Sequence, residues 1–190
     1  MRKLIVSEFV TLDGVMEAPG GEHTHPHTGW VFDYMSPEQE RYKLDETLEA
    51  ESLLLGRVTY GGFAAAWPER SGEFADKMNS MPKHVVSSTL SEPLEWNNST
   101  VLRGDVADEV AKLKDTNGGP ILVAGSAMLV QSLIENDLVD ELRLLVFPVL
   151  IGGGKRMFPE SLQKKPLKPA DTRTFPSGVA VLTYERAPVT

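Results

Sequence analysis

The chain has no cysteine, so disulfides, thiolate nucleophiles and thiolate-bound metals are all excluded. It also lacks long apolar runs. Nothing approaches the roughly 18 consecutive apolar residues of a membrane span, and Met1-Arg2-Lys3 leads into a strand-like segment, not a signal peptide. Positive charge is scarce: 19 Lys and Arg against 27 Asp and Glu leave a net charge of −8. Non-specific nucleic-acid binding needs a basic face and is disfavoured. Several catalytic signatures are missing as well. There is no G-x-G-x-x-G, no P-loop (Gly154-Lys155 is followed by Arg156), no G-x-S-x-G elbow and no H-E-x-x-H helix. These absences lead us to expect a cytoplasmic protein with no membrane or nucleic-acid partner.

What is present is an ordinary globular composition, 41% hydrophobic and 24% charged over 190 residues. That predicts one domain spanning 1–190 with a substantial core. The organising stretch is 121–158. Ile121-Leu122-Val123 reads as a strand, Ala124-Gly125-Ser126 as a turn, and a helical pattern follows. A second strand-like run, Leu142 to Phe147, ends at Pro148 before the Gly152-Gly153-Gly154-Lys155-Arg156 loop. Strand, turn, helix and strand make a βαβ unit. Other predicted strands are 3–10, 52–55, 83–88 and 100–102. A C-terminal hairpin of 172–175 and 179–185 turns at Pro176-Ser177-Gly178. Ser36-Pro37-Glu38-Gln39 opens a helix running to about Glu49, with Leu44 and Leu48 inward. A helix after Gly56 ends at Ala64-Ala65-Ala66-Trp67-Pro68, and Asp105 caps another with Val106, Val110 and Leu113 on one face. Residues 69–82 read as a polar, mobile excursion. The alternation implies an α/β fold, mostly parallel, with an antiparallel C-terminal edge.

Three turns after strands carry the chemistry. Gly125 permits close backbone approach, and Ser126 is a good N-cap for a helix whose N-terminus would stabilise an anion such as pyrophosphate. Gly56-Arg57-Val58-Thr59 offers a glycine, a fixed cation and a hydroxyl at a helix start, which suits either phosphate contact or a tight turn with a surface arginine. Ser87-Ser88-Thr89 could bind a ligand or satisfy a turn. The loop Glu22-His23-Thr24-His25-Pro26-His27 holds three of the four histidines, but its proline and flanking glycines favour adventitious over structural metal binding. A chain with no evident nucleophile or metal centre, yet with several ligand-type turns, fits a protein that leaves hard chemistry to a cofactor.

The sequence resembles the dihydrofolate reductase-like superfamily. The closer likeness is to stand-alone reductases related to the C-terminal half of bifunctional riboflavin-biosynthesis deaminase/reductases. The resemblance rests on Thr-Leu-Asp-Gly (11–14), Leu-Leu-Leu-Gly-Arg-Val-Thr-Tyr (53–60), Val-Val-Ser-Ser-Thr-Leu (85–90), Val-Ala-Gly-Ser (123–126), Val-Asp-Glu-Leu-Arg-Leu (139–144) and Pro-Val-Leu-Ile-Gly-Gly-Gly-Lys-Arg-Met-Phe (148–158). It implies a dihydrofolate reductase-like three-layer fold with a mostly parallel central sheet, NADPH as cofactor, and a homodimer. It also implies hydride transfer to a small heterocycle, as in dihydrofolate reductases or the ribosylaminopyrimidine reductases of riboflavin synthesis. A non-catalytic nucleotide- or flavin-binding module is the alternative.

By this resemblance Gly56, Arg57 and Thr59 form the cofactor turn, with Arg57 near the 2′-phosphate. Ser87, Ser88 and Thr89 lie beside the adenosine, and Gly125, Ser126 and Ala127 cover the pyrophosphate. Relatives often carry arginine where this chain has Ser88. Asp13, His27 and Trp30 resemble residues lining the nicotinamide and substrate pocket, and Trp30 is either a stacking platform or a core plug. Lys155 and Arg156 are candidates for a second phosphate site. The acidic side chain that holds the pterin, buried beside apolar groups and supplying the proton, falls on Glu40 by gapless spacing, with Asp45 as the alternative. An ordered water or the loop residue Asp13 is the next candidate proton source. No metal site is implied, because the deaminase half is missing.

Overall fold

Eight runs of strand-forming residues join one sheet in a computed structural model that describes residues 1–187. They are β1 (Leu4–Thr11), β2 (Ser52–Gly56), β3 (Lys83–Val86), β4 (Ser99–Leu102), β5 (Ile121–Val123), β6 (Glu141–Phe147), β7 (Leu167–Thr174) and β8 (Ala180–Arg186). The order across the sheet is β4-β3-β2-β5-β1-β6-β8-β7. Strands β4 to β6 are mutually parallel, whereas β8 runs antiparallel to both β6 and β7. The central strand β1, Leu-Ile-Val-Ser-Glu-Phe-Val-Thr, is buried almost throughout, as expected where helices cover both faces of a parallel sheet.

Helices α1 (Pro37–Glu49), α2 (Arg57–Ala66), α3 (Glu73–Ser80), α4 (Val106–Asp115) and α5 (Ala127–Glu135) complete the chain. One face of the sheet packs Val6, Leu54, Val123 and Leu144 on Val110 and Leu113 of α4 and Leu129, Val130 and Leu133 of α5. The opposite face carries two apolar clusters. Leu53, Leu55 and Leu122 meet Tyr60 of α2 and Met78 of α3, while Leu145, Phe147 and Val181 meet Trp30 and Phe175. No helix among the described residues is long and apolar enough to cross a membrane.

Three sequence expectations need correction. Residues 73–80 form α3, not an excursion, because Ala75 and Met78 fall on one helical face and are buried; burying a methionine side chain contributes roughly 1.5–3 kcal/mol. β7 begins at Leu167, five residues before the predicted strand of 172–175. In α1, Leu44 is half-buried and Leu48 is 36% exposed. The helix turns Gln39, Lys43, Glu46 and Ala50 inward instead, because the strand surface beneath it is polar. Lys43 Nζ donates to Ser7 Oγ at 2.9 Å and lies over the Phe9 ring. Ser36 caps the helix as expected, accepting from Gln39 N.

Candidate active site

Strand β5 is only three residues long, and this creates the site. Val123 is the last residue of β5 to pair with either neighbour, Val6 of β1 and Leu54 of β2. Both neighbours continue beyond it, leaving a notch between them at the C-terminal ends of the parallel strands, where open α/β sheets place ligands. The turn Ala124-Gly125-Ser126 and the start of α2 close the floor of this notch. Gly56 N donates to Ser126 Oγ at 2.9 Å. A Cβ on Gly125 would sit 2.9 Å from Thr59 Cγ2, and its φ is +67°. Gly125 is therefore required for two helix N-termini to approach this closely.

Gly56, Arg57, Thr59, Gly125, Ser126 and Ala127 are thus brought together. Ser126 is not the N-cap hydrogen-bonder expected of it. It adopts left-handed geometry, φ 66°, and its hydroxyl crosses to Gly56. Neither α2 nor α5 has a side-chain cap, so the N–H groups and positive dipole ends of both first turns are available to an anion. Arg57 is exposed at the first position of α2 and makes no ion pair among the described residues. Val58 and Met128, 71% and 76% exposed, project from the same first turns.

Next to Gly56, β3 runs into Ser87-Ser88-Thr89. Ser87 is buried and its hydroxyl accepts from Thr89 N and Leu90 N, so it closes the turn. Ser88 and Thr89 are exposed. Beyond it, β4 ends at Leu102, whose carbonyl accepts from Ser87 N. Arg103 follows, exposed, with its guanidinium on the Leu90 carbonyl. Sequence reading missed this second cation, which lies two strands from Arg57 in the same register (Gly56, Val86, Leu102).

The carboxylates are arranged differently from expectation. Glu40 is exposed on the solvent side of α1, and Asp45 is exposed and pairs with Arg41 at 2.6 Å. Neither is the buried acid expected on this helix. The buried one is Glu46, held by Lys43 and by Arg143 at 3.3 Å. Arg143 in turn binds Glu141, so Glu46 belongs to an ion network under α1. Asp13 accepts from Thr11 Oγ1 at 2.6 Å and from the backbone N–H groups of Ile151 and Gly152. The Thr11 hydroxyl, followed by those amides, holds its carboxyl below the usual range. A carboxylate so fixed ties two loops together.

Glu8 is the acid the sequence reading overlooked. It is 4% exposed on β1, and its Oε2 accepts from Gly125 N at 2.9 Å. Its Oε1 is buried without a partner. Burial pushes its pKa well above the ordinary value, outweighing the Gly125 N–H and nearby Lys43. One acidic residue inside a strand with no other charged side chain was the available signal.

Trp30 is a core plug, 5% exposed, with its ring edge-on to Phe147 and Nε1 donating to Glu17 O; it offers no face for stacking. Arg156 donates to the carbonyls of Asp13 and Gly152, committing its guanidinium to the loop. Lys155 and His27 are exposed. His25 uses both ring nitrogens, one with Gly153 O and one accepting from His27 N.

A family model described as the RibD C-terminal domain matches residues 2–181. The chain belongs to the RibD C-terminal domain family. Two Bacillus subtilis (strain 168) proteins align with this chain over most of its length. The uncharacterised protein YyaP is 32% identical over 188 residues, covering 96% of this chain and 94% of that one. The uncharacterised protein YwjB is 26% identical over 186 residues, covering 98% and 99%. Among solved structures, a Shewanella sp. PV-4 protein provisionally assigned to riboflavin biosynthesis superposes with TM-score 0.73 at 22% identity, covering 98% and 99%. Enterococcus faecalis dihydrofolate reductase, complexed with NADP(H) and RAB-propyl, superposes with TM-score 0.63 at 16% identity, covering 98% and 97%. The fold is therefore dihydrofolate reductase-like.

Proposed function

We propose that the protein is an NADPH-dependent reductase that transfers hydride to a small heterocycle of the pterin or aminopyrimidine type. The observation that carries this reading is the pair of uncapped helix N-termini meeting over Gly56 and Gly125, flanked by Arg57. Such an arrangement suits a pyrophosphate, with the guanidinium beside it for a further phosphate. Arg103 supplies the cation that Ser88 does not. Val58 and Met128 are apolar surface that a bound dinucleotide would cover. When bound, the cofactor supplies the hydride. The chain's residues orient it, exclude water from the notch, and keep a proton on Glu8 near the Gly125 turn. The working form is a homodimer, supported by the long, wholly exposed edge strand β7.

The test is a titration with NADPH and NADH followed by cofactor oxidation against a panel of pterins, flavins and aminopyrimidine ribosides. Arg57→Ala should weaken NADPH by about 1.5–3 kcal/mol, the range for a hydrogen bond to a charged group, and leave NADH nearly unchanged. Equal losses for both would remove Arg57 from phosphate recognition. Tight NADPH binding with no oxidation across the panel would favour a nucleotide-binding module.

A further inference from the structure

Glu8 shares one face of β1 with Leu4, Val6 and Val10, which all join the apolar cluster under α4 and α5. Its pairing partner on β6, Leu144, is buried in the same cluster. A carboxyl in such surroundings is costly, and only one of its oxygens is compensated, by Gly125 N. Oε1 is buried without a partner. A glutamine would hold Gly125 equally well with no ionisable proton. Tying down the turn therefore does not account for an acid.

Its place in the sheet gives the reason. Counting on from the pair Val6↔Val123, Glu8 stands level with Gly125, where β5 has stopped and the notch begins. On the reductase reading, a pyrophosphate occupies the turns at Gly56 and Gly125. Arg57, Ser88 and Arg103 draw the adenosine half across β2, β3 and β4. The reacting ring then runs the opposite way, past the end of β5 toward β1. Glu8 is the only charged residue of that strand.

We infer that Glu8 senses the redox state of the bound nicotinamide, holding its proton beside the neutral reduced ring and releasing it to solvent when the ring becomes cationic. Loss of a hydride, with its two electrons, leaves one positive charge on the ring. Loss of H+ from Glu8 leaves one negative charge that offsets it, and the attraction is strong because both charges lie out of water. With the neutral ring, or none, desolvation keeps the carboxyl protonated. The other charges acting on Glu8 are Lys43 and Glu46 of α1, which pair with each other. The first turn of α5 carries no charged side chain. A pyrophosphate opposes ionisation of Glu8 equally in both redox forms, so the difference between the forms reports the ring alone. Linkage makes the effect reciprocal: the ionised acid holds NADP+ more tightly than the neutral one does. The inference rests on the reductase reading for its cofactor.

Calorimetric titration with NADP+ and with NADPH, in buffers of different ionisation enthalpy and at stepped pH, counts the protons exchanged on binding. NADP+ should release more protons than NADPH, by up to one per site. The ratio of NADP+ to NADPH affinity should rise with pH by at least ~10-fold overall. In Glu8→Gln, and in Glu8→Met should the glutamine variant fold poorly, both the proton difference and the rise in the ratio should vanish. Equal proton exchange for the two forms in the wild type, or a difference that survives in both variants, would overturn the role of Glu8 and leave the reductase reading standing. Failure of the wild type to bind either form would sink the reductase reading and this inference with it.

Discussion

Glu8 carries a pH dependence whose sign can be worked out. Its carboxyl is buried against Gly125 N–H, with Lys43 favouring the charge, Glu46 opposing it and desolvation dominating. The folded state therefore keeps a proton that the unfolded chain releases at an ordinary carboxylate pKa. Between those two values the unfolded state binds fewer protons, so stability falls as pH rises. The loss is about 1.4 kcal/mol per unit of pKa difference. Glu8→Gln preserves an oxygen acceptor for Gly125 without a titrating proton. Urea denaturation at stepped pH should show the wild type weakening from mildly acidic conditions upward and Glu8→Gln unaffected by that loss. Parallel profiles for the two proteins would mean that Glu8 is ionised in the fold. At this scale the sequence was a partial guide. Gly56, Arg57 and Gly125 fall in one neighbourhood, as the motif resemblance implied, although Gly56-Arg57 read equally well as a tight turn with a surface arginine. Sequence reading misassigned the acids, since gapless counting says nothing about which face of α1 points inward.

Among the elements, α1 and α3 show where periodicity misleads. A leucine pair marks an inward stripe only where the opposing surface is apolar; over Ser7 and Arg143 the polar stripe wins. α3 is short, and two buried residues are too few to stand out in sequence. Ser126 shows a third limit: its type predicts capping, yet a neighbouring backbone N–H claims the hydroxyl. The meeting of α2 with the start of α5 is itself testable. Gly125→Ala meets both the positive φ and the Thr59 methyl at 2.9 Å, and should destabilise the protein by about 1–3 kcal/mol while weakening NADPH more than tenfold. Adding Thr59→Ser removes that methyl and should recover part of the stability, giving a non-zero coupling in a double-mutant cycle. Strictly additive effects would show that the two helix starts do not press on each other.

For the whole molecule, alternating strands and helices identified the α/β class and the antiparallel C-terminal hairpin. The position of β5 between β1 and β2 was not legible, because strand order depends on packing between segments far apart in the chain. The two sheet edges differ: β4 has four residues, whereas all eight of β7 are exposed. An edge of that length is open to pairing with another chain. Sedimentation should find a dimer at micromolar concentration, and proline at an alternate β7 position such as Thr172 should shift it toward monomer. A wild type that sediments as a monomer would end the homodimer proposal.

The shortness of β5 also shapes the molecule's exchange with solvent. β1 pairs with β6 through Thr11↔Phe147, but with β5 only as far as Val6↔Val123. Past that point no β5 residue pairs with it, and the open side is claimed again only at Thr11, by Val15 O and Gly14 N, so residues 7–10 form a short strip without a strand partner there. Deuterium should enter that strip quickly in the empty protein, although its side chains are among the most buried in the chain. A ligand lying flat in the notch would take the place of the missing strand, and uptake across residues 7–10 should slow while β3 and β8 keep their rates.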